Sequence, residues 1–258
     1  MSQGDLNAEY TQCLQDLSLA SKILAHHGIV DGFGHVSCRD PRAPMDHYLL
    51  SRNLAPALVE PGDIVTWRIS DAEPADPNSP HGFLERCIHS EIYRHFEDVQ
   101  AVVHFHSPDI LPFGLMPIPF KAVYHMASFI GSEASPIFDI GDAFGPGTDM
   151  LIRNTTHGAA LASAFAPTAP SAPTRPLVLM RGHGATLTAS SLKLAIFRAV
   201  YTQNNARVLT SLSALTGGAQ NVALGARFLT AEECEAATAS NAGQVTRAWD
   251  VWCTELGN

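Results

Sequence analysis

The feature that most constrains the fold of this chain is a pair of short, unbroken apolar runs, Ala101-Val102-Val103 and Leu177-Val178-Leu179-Met180. Runs of this length without polar alternation suit strands buried within a sheet, not strands with one solvated face. The sequence between and around them supplies the cover. Residues 7–27 carry apolar groups near helical spacing (Tyr10, Cys13, Leu14, Leu17, Ile23, Leu24), and Gly28 supplies a stop. Helices are expected over 83–96, 155–165 and 190–215, the last capped by Ser190 or Ser191, and a final one is expected after Thr230, with Glu232 and Glu233 in its first turn. Gly32 through Arg39 is expected to be a glycine-bearing turn entering a short strand, and further strands are expected over 48–51 and 64–67 and from Val99 to His106, with a loop over 70–81 and another over 166–176. Helices and strands interleave, with no internal repeat and no boundary between domains, so residues 1–258 are read as a single layered α/β domain with one sheet.

Composition narrows the function. With 46% hydrophobic and 16% charged residues, the chain can bury a sizeable core and is unlike disordered sequences. Its formal net charge of −9 and lack of a basic run argue against a nucleic-acid partner. Five scattered cysteines, never in a CxxC pair, argue against a disulfide framework or a zinc–thiolate cluster. The start of the chain lacks a basic segment followed by an apolar run, and no stretch is long and apolar enough for a membrane span. The expectation is a soluble cytoplasmic protein. Phosphate-cradling GxxxxGK[ST] and dinucleotide GxGxxG motifs are absent, and Cys38 and Cys87 have no evident partner base.

The chemistry gathers at strand ends. In His104-Phe105-His106, residues i and i+2 of a strand face the same side, so two imidazoles leave a buried strand together. His183 follows the other apolar run between Gly182 and Gly184. Three imidazoles make the ligand set of an open metal site, and Glu85, on the helix before the His104 strand, could act as base or fourth ligand. Each residue has a plainer reading when taken alone: a surface histidine pair, a histidine in a turn, a solvated glutamate.

The combination Glu85…His104-Phe105-His106…Arg181-Gly182-His183-Gly184, with the Gly34-His35-Val36-Ser37 turn before it, resembles the class II aldolase and adducin superfamily over about Leu14 to Leu215. The resemblance implies a three-layer αβα domain with a central, mostly antiparallel sheet. It implies one divalent metal ion per chain (zinc, manganese or iron) held by His104, His106 and His183, with Glu85 as the catalytic acid/base. It also implies a homo-oligomer, commonly a tetramer with sites at subunit contacts.

Departures from the sugar-phosphate aldolases of that superfamily point to the substrate. Those enzymes hold phosphate with a Gly-Asn turn and small hydroxyl residues before the catalytic Glu. Here Gly34-His35 and Phe83-Leu84 stand in those places, and apolar side chains donate no hydrogen bond to a dianion. Ser51-Arg52 lies where related aldolases place substrate contacts, and Arg suits a carboxylate. The stretch from Tyr124 through His125 to Phe129 offers an aromatic wall. These features resemble the superfamily's decarboxylase branch, typified by 3-hydroxy-2-methylpyridine-4,5-dicarboxylate decarboxylase. Arg52 could equally be a surface ion pair, His125 a buried structural histidine, and His35 a brace for its turn. The expected function is therefore metal-dependent carbon–carbon lyase chemistry: decarboxylation of a non-phosphorylated aromatic or hydroxy carboxylic acid. The substrate contacts would be Arg52, Ser51, His35 and His125. The competing readings are a retro-aldolase, an iron-dependent oxygenase and a metal-free adducin-like binding module.

Overall fold

The computed structural model describes residues 3–116, 118–166, 173–218, 221–222 and 225–257. Seven strands form one sheet in the order β3-β2-β1-β4-β7-β6-β5, where β1 is His35–Arg39, β2 His47–Ser51, β3 Ile64–Arg68, β4 Ala101–Phe105, β5 Ile137–Phe138, β6 Leu177–Met180 and β7 Gly184–Ala189. Only the β5–β6 pair is parallel. Helix α1 spans Gln3–His26, α2 Cys87–His95, α3 Leu111–Leu115, α4 Ile140–Phe144, α5 Thr155–Ser163 and α6 Leu192–Leu215. Two more helices, Ala231–Ala242 and Val245–Glu255, lie near the end of the chain.

Strand alternation sorts the core into two layers. Val36, Val103, Phe105, Leu177, Leu179 and Leu187 join α1, α6 and the Trp249–Trp252 helix on one side of the sheet. Tyr48, Leu50, Trp67, Val102, Val178 and Met180 meet Ile88 and Ile92 of α2 and Leu161 of α5 on the other. This is the three-layer αβα arrangement, and it explains why β4 and β6 carry no polar alternation in their middles: both faces are covered.

The local signals account for most boundaries. Helix α1 ends where Gly28 takes φ +64°. There the Gly28 N–H reaches the Ala25 carbonyl and the Ile29 N–H reaches the Leu24 carbonyl, both at 3.0 Å, the paired bonds of a Schellman cap. Ser191 caps α6 through the Leu194 N–H, and Thr230 with Glu233 forms a reciprocal capping box. Two expectations are corrected, and one strand is added. The tail is two helices, broken at Gly243-Gln244. The 83–96 segment is a 3-10 turn, Leu84–Arg86, leading into α2, so Glu85 sits in the turn and not in regular helix. Strand β7 fills the interval between the His183 turn and α6, which the sequence left unassigned. Part of the loop expected over 166–176, residues 167–172, lies outside the described residues. All five cysteines are free thiols.

Helices α2 and α5 cross closely at Gly158. A Cβ there would stand 2.4 Å from the Cys87 carbonyl oxygen and 2.8 Å from Glu91 Cγ. This contact sets the spacing of α5 against the first turns of α2, which the Glu85 turn leads into. Gly158→Ala is therefore expected to destabilise the fold by about 1–3 kcal/mol through overpacking, despite the better helix propensity of alanine. Urea unfolding measures it, and unchanged or increased stability would contradict the close crossing.

Candidate metal centre

Cross-strand register builds the site. His104 pairs with His35 of β1 on one side and with Thr186 of β7 on the other. All three side chains project to the α2 face. His106 follows β4 directly. His183 sits in the turn between β6 and β7, where its N–H donates to the Met180 carbonyl. Gly184, at φ +148°, lets that turn pass against β4, since a Cβ there would stand 2.1 Å from the Phe105 carbonyl oxygen. Glu85 reaches in from the turn before α2, with Oε1 accepting the Ile152 N–H at 2.9 Å.

The result is a convergence of ligand atoms. His106 Nε2 lies 2.9 Å from His104 Nε2 and 3.1 Å from His183 Nε2. Glu85 Oε2 lies 3.5 Å from His104 Nε2 and 3.4 Å from His183 Nε2. The four ligand atoms fall within 4.8 Å of one another. A tetrahedral ion with metal–nitrogen distances of about 2.0–2.1 Å spaces its ligand atoms about 3.4 Å apart, so the four shorter edges of this cluster, 2.9–3.5 Å, bracket the spacing around one divalent ion. Second partners agree. Thr186 Oγ1 donates to Met180 Sδ at 3.3 Å, so it accepts from His104 Nδ1 at 3.0 Å. That bond fixes the proton on Nδ1 and leaves the Nε2 lone pair facing the cluster. His183 Nδ1 is buried without a partner among the described residues.

Electrostatics favour the ligand forms. Burial lowers His104, and it pushes His106 down to about 3, helped by the neighbouring imidazoles, so these rings are neutral donors. With neutral imidazoles around it burial raises Glu85, whereas a positive charge at His104 and His183 reverses this and holds the carboxyl well below the usual range.

Beside the cluster lies a buried polar chain that sequence reasoning missed. His35 Nδ1 meets His89 Nε2 at 2.6 Å, His89 Nδ1 meets Ser37 Oγ at 2.6 Å, and Ser37 Oγ meets the Tyr93 hydroxyl at 2.7 Å. Burial pushes His89 down to about 3. The signal was present in outline: His35 and Ser37 alternate on β1, and His89 and Tyr93 lie one helical turn apart on α2. The His35 ring is 5.1 Å from that of His104 and 4.7 Å from that of Phe83, so Phe83 packs on the histidine at the edge of the site.

The other expected contacts lie apart. Arg52 Nε donates to Asp63 at 2.7 Å, and both residues line a cavity of about 760 Å³ to which none of the four cluster residues contributes. Ser51 is buried at the end of β2. The His125 carbonyl accepts from Asn241 at 2.7 Å, and His125 shares a cavity of about 400 Å³ with Tyr201 and Trp252. Within one chain, His35 is the expected substrate contact that the structure brings beside His104.

Thr186→Val keeps the shape of this buried site and removes the hydroxyl acceptor for His104 Nδ1, leaving only the Ala185 backbone contact. It is expected to weaken metal binding about 10–100-fold, read by competition with a chromophoric chelator. Unchanged affinity would show that Thr186 does not orient His104.

Comparisons with known proteins come from three directions. The profile of the Class II Aldolase and Adducin N-terminal domain family matches residues 15–210. The chain is 38% identical over 241 residues to decarboxylase tropJ of Talaromyces stipitatus, covering 91% of this chain and 90% of that protein. It is 28% identical over 197 residues to 3,4-dihydroxyphthalate decarboxylase of Arthrobacter keyseri, covering 71% of this chain and 72% of that protein. Its fold is similar to that of L-fuculose 1-phosphate aldolase of Glaciozyma antarctica, with a TM-score of 0.73 and 17% identity over 98% of this chain and 92% of that one.

Proposed function

Because the chain belongs to the class II aldolase and adducin N-terminal domain family, we propose that it is a metal-dependent decarboxylase of a non-phosphorylated aromatic or hydroxy carboxylic acid. The family and the decarboxylase relatives indicate a lyase. The observation that carries the metal-dependent reading is the convergence of His104, His106, His183 and Glu85 within 4.8 Å. An adducin-like binding module has no use for that arrangement.

In this proposal His104, His106 and His183 hold one divalent ion, and Glu85 is the proton-transfer group. The ion, when bound, supplies Lewis-acid stabilisation for negative charge that develops on substrate oxygen as the carboxyl group departs. Glu85 accepts the proton of a substrate hydroxyl and returns it to the carbon that has lost carbon dioxide. The carbon–carboxylate bond breaks, a carbon–hydrogen bond forms, and solvent reprotonates the oxygen on release. Thr186 keeps His104 in its ligand form. His35, braced by His89, lines the approach to the cluster as a substrate contact. Phe83 and Leu84 beside Glu85 favour a planar apolar ring over a phosphate group. Arg52 is held by Asp63, and Ser51, Arg52 and His125 are not needed for this step within one chain. A homotetramer, in which a second copy closes the substrate pocket, belongs to the same proposal.

Glu85→Gln is expected to retain the metal and lower turnover of an ortho-hydroxy aromatic carboxylate by about 10²–10⁴-fold, followed by carbon dioxide release and metal content together. Full activity in that variant would remove Glu85 from the chemistry. Aldehyde release by the wild type would favour the retro-aldolase, and oxygen uptake the iron-dependent oxygenase.

A further inference from the structure

The end of the sheet opposite the cluster holds a second chemical feature. A cavity of about 580 Å³ opens there between the segment before β4, the end of β7, α6 and the Ala231–Ala242 helix. Val99, on its wall, is five residues from His104, roughly 17 Å along an extended chain. The size suits a small-molecule site.

Arg198 of α6 lines this cavity in an unusual state. Its Nη1 donates to the Thr188 carbonyl at 2.5 Å, and its guanidinium lies 5.6 Å from the centre of the Phe129 ring. Its Nε is sealed from solvent and has no hydrogen-bond partner among the described residues. None of the ion pairs among those residues includes it. The residues outside the described set add no acidic side chain. Burial pulls Arg198 down to about 10, and no carboxylate offsets it. It is still a cation at neutral pH. Asp98 and Glu235 also line the cavity, but both are exposed.

Arg198 is part-buried, and Nη2, which has no protein partner among the described residues and is not sealed as Nε is, remains open; a part-buried cation without a carboxylate is costly unless an anion meets it. Guanidinium geometry matches a carboxylate. Phe129, Val99, Pro176 and Ala189 supply apolar walls, and the Ser128–Thr238 hydroxyl pair, joined at 2.9 Å, adds polar contacts at the same cavity. We propose that this cavity is a binding site, separate from the metal centre, for a small organic carboxylate with an apolar body, its carboxylate on Arg198 and its body against Phe129. The site stands whether or not the chain is a decarboxylase, because none of its residues belongs to the cluster.

Benzoate is the probe, and benzyl alcohol is its neutral counterpart. Calorimetric titration and thermal shift are run on the metal-loaded protein, on His106→Ala, which removes binding at the metal centre, and on His106→Ala with Arg198→Met, which keeps apolar volume at the position. The expected result is benzoate binding with a Kd of about 1 mM or tighter, with a matching rise in Tm, in both the wild type and His106→Ala. Adding Arg198→Met to His106→Ala is expected to weaken benzoate binding at least about ten-fold, the loss of a charge-assisted hydrogen bond. His106→Ala is expected to bind benzyl alcohol weaker by a similar factor. Absence of benzoate binding overturns the proposal. So does binding that vanishes in His106→Ala, is undiminished when Arg198→Met is added, or is matched by benzyl alcohol in His106→Ala.

Discussion

The register of β4 between β1 and β7 is the constraint on which the rest depends. His35, His104 and Thr186 stand abreast on one face of the sheet, while Val103 and Phe105 turn to the other. A slip of one residue would turn His104 into the apolar layer beneath α1 and α6 and put Phe105 where its imidazole stands. The apolar middle of β4 therefore does more than fill the core. It fixes which of its last residues are aimed at the cluster, and the two-sided burial of the strand makes any other register expensive.

Around that row the polar groups form two linked systems with different roles. One is closed: His35, His89, Ser37 and Tyr93 satisfy one another in a buried chain. The other is open: the Nε2 atoms of three histidines and one Glu85 oxygen point at a shared centre, with His104 held from behind by Thr186. Buried polar groups are tolerated when paired, and the open set turns acceptor atoms toward one another at 2.9–3.5 Å. A bound cation supplies their shared partner, so the fold, the protonation states and the ligand geometry all favour the same occupant.

Much of this was legible in the sequence because it rests on local signals. Unbroken apolar runs marked β4 and β6, two-residue alternation paired His104 with His106, and Gly28, the Ser190-Ser191 pair and Thr230 marked helix ends. What was not legible depends on pairing between distant segments. Strand β7 is built from glycine, alanine and threonine with one leucine, too little hydrophobic contrast to announce a strand, and Thr186 was hidden with it. The 3-10 turn at Glu85 has no local signal of its own; the Glu85 side chain is held by the Ile152 N–H, from a segment 67 residues away. Arg52 looked available for a carboxylate, but the β2–β3 register sets Ser51 against Ile64 and so brings Arg52 beside Asp63. The break at Gly243-Gln244 was readable in principle, although one glycine in a helical pattern is a weak stop.

The central claim, that one divalent ion occupies the cluster, is tested most directly by elemental analysis of the purified protein beside His106→Ala and His183→Ala, after supplementation with zinc, manganese and iron. These two ligands are less buried than His104, so their truncation perturbs the core less. The account predicts about one equivalent of a single metal per chain in the wild type and its loss in both variants. A wild type without metal after supplementation, or variants that retain the full equivalent, would contradict it.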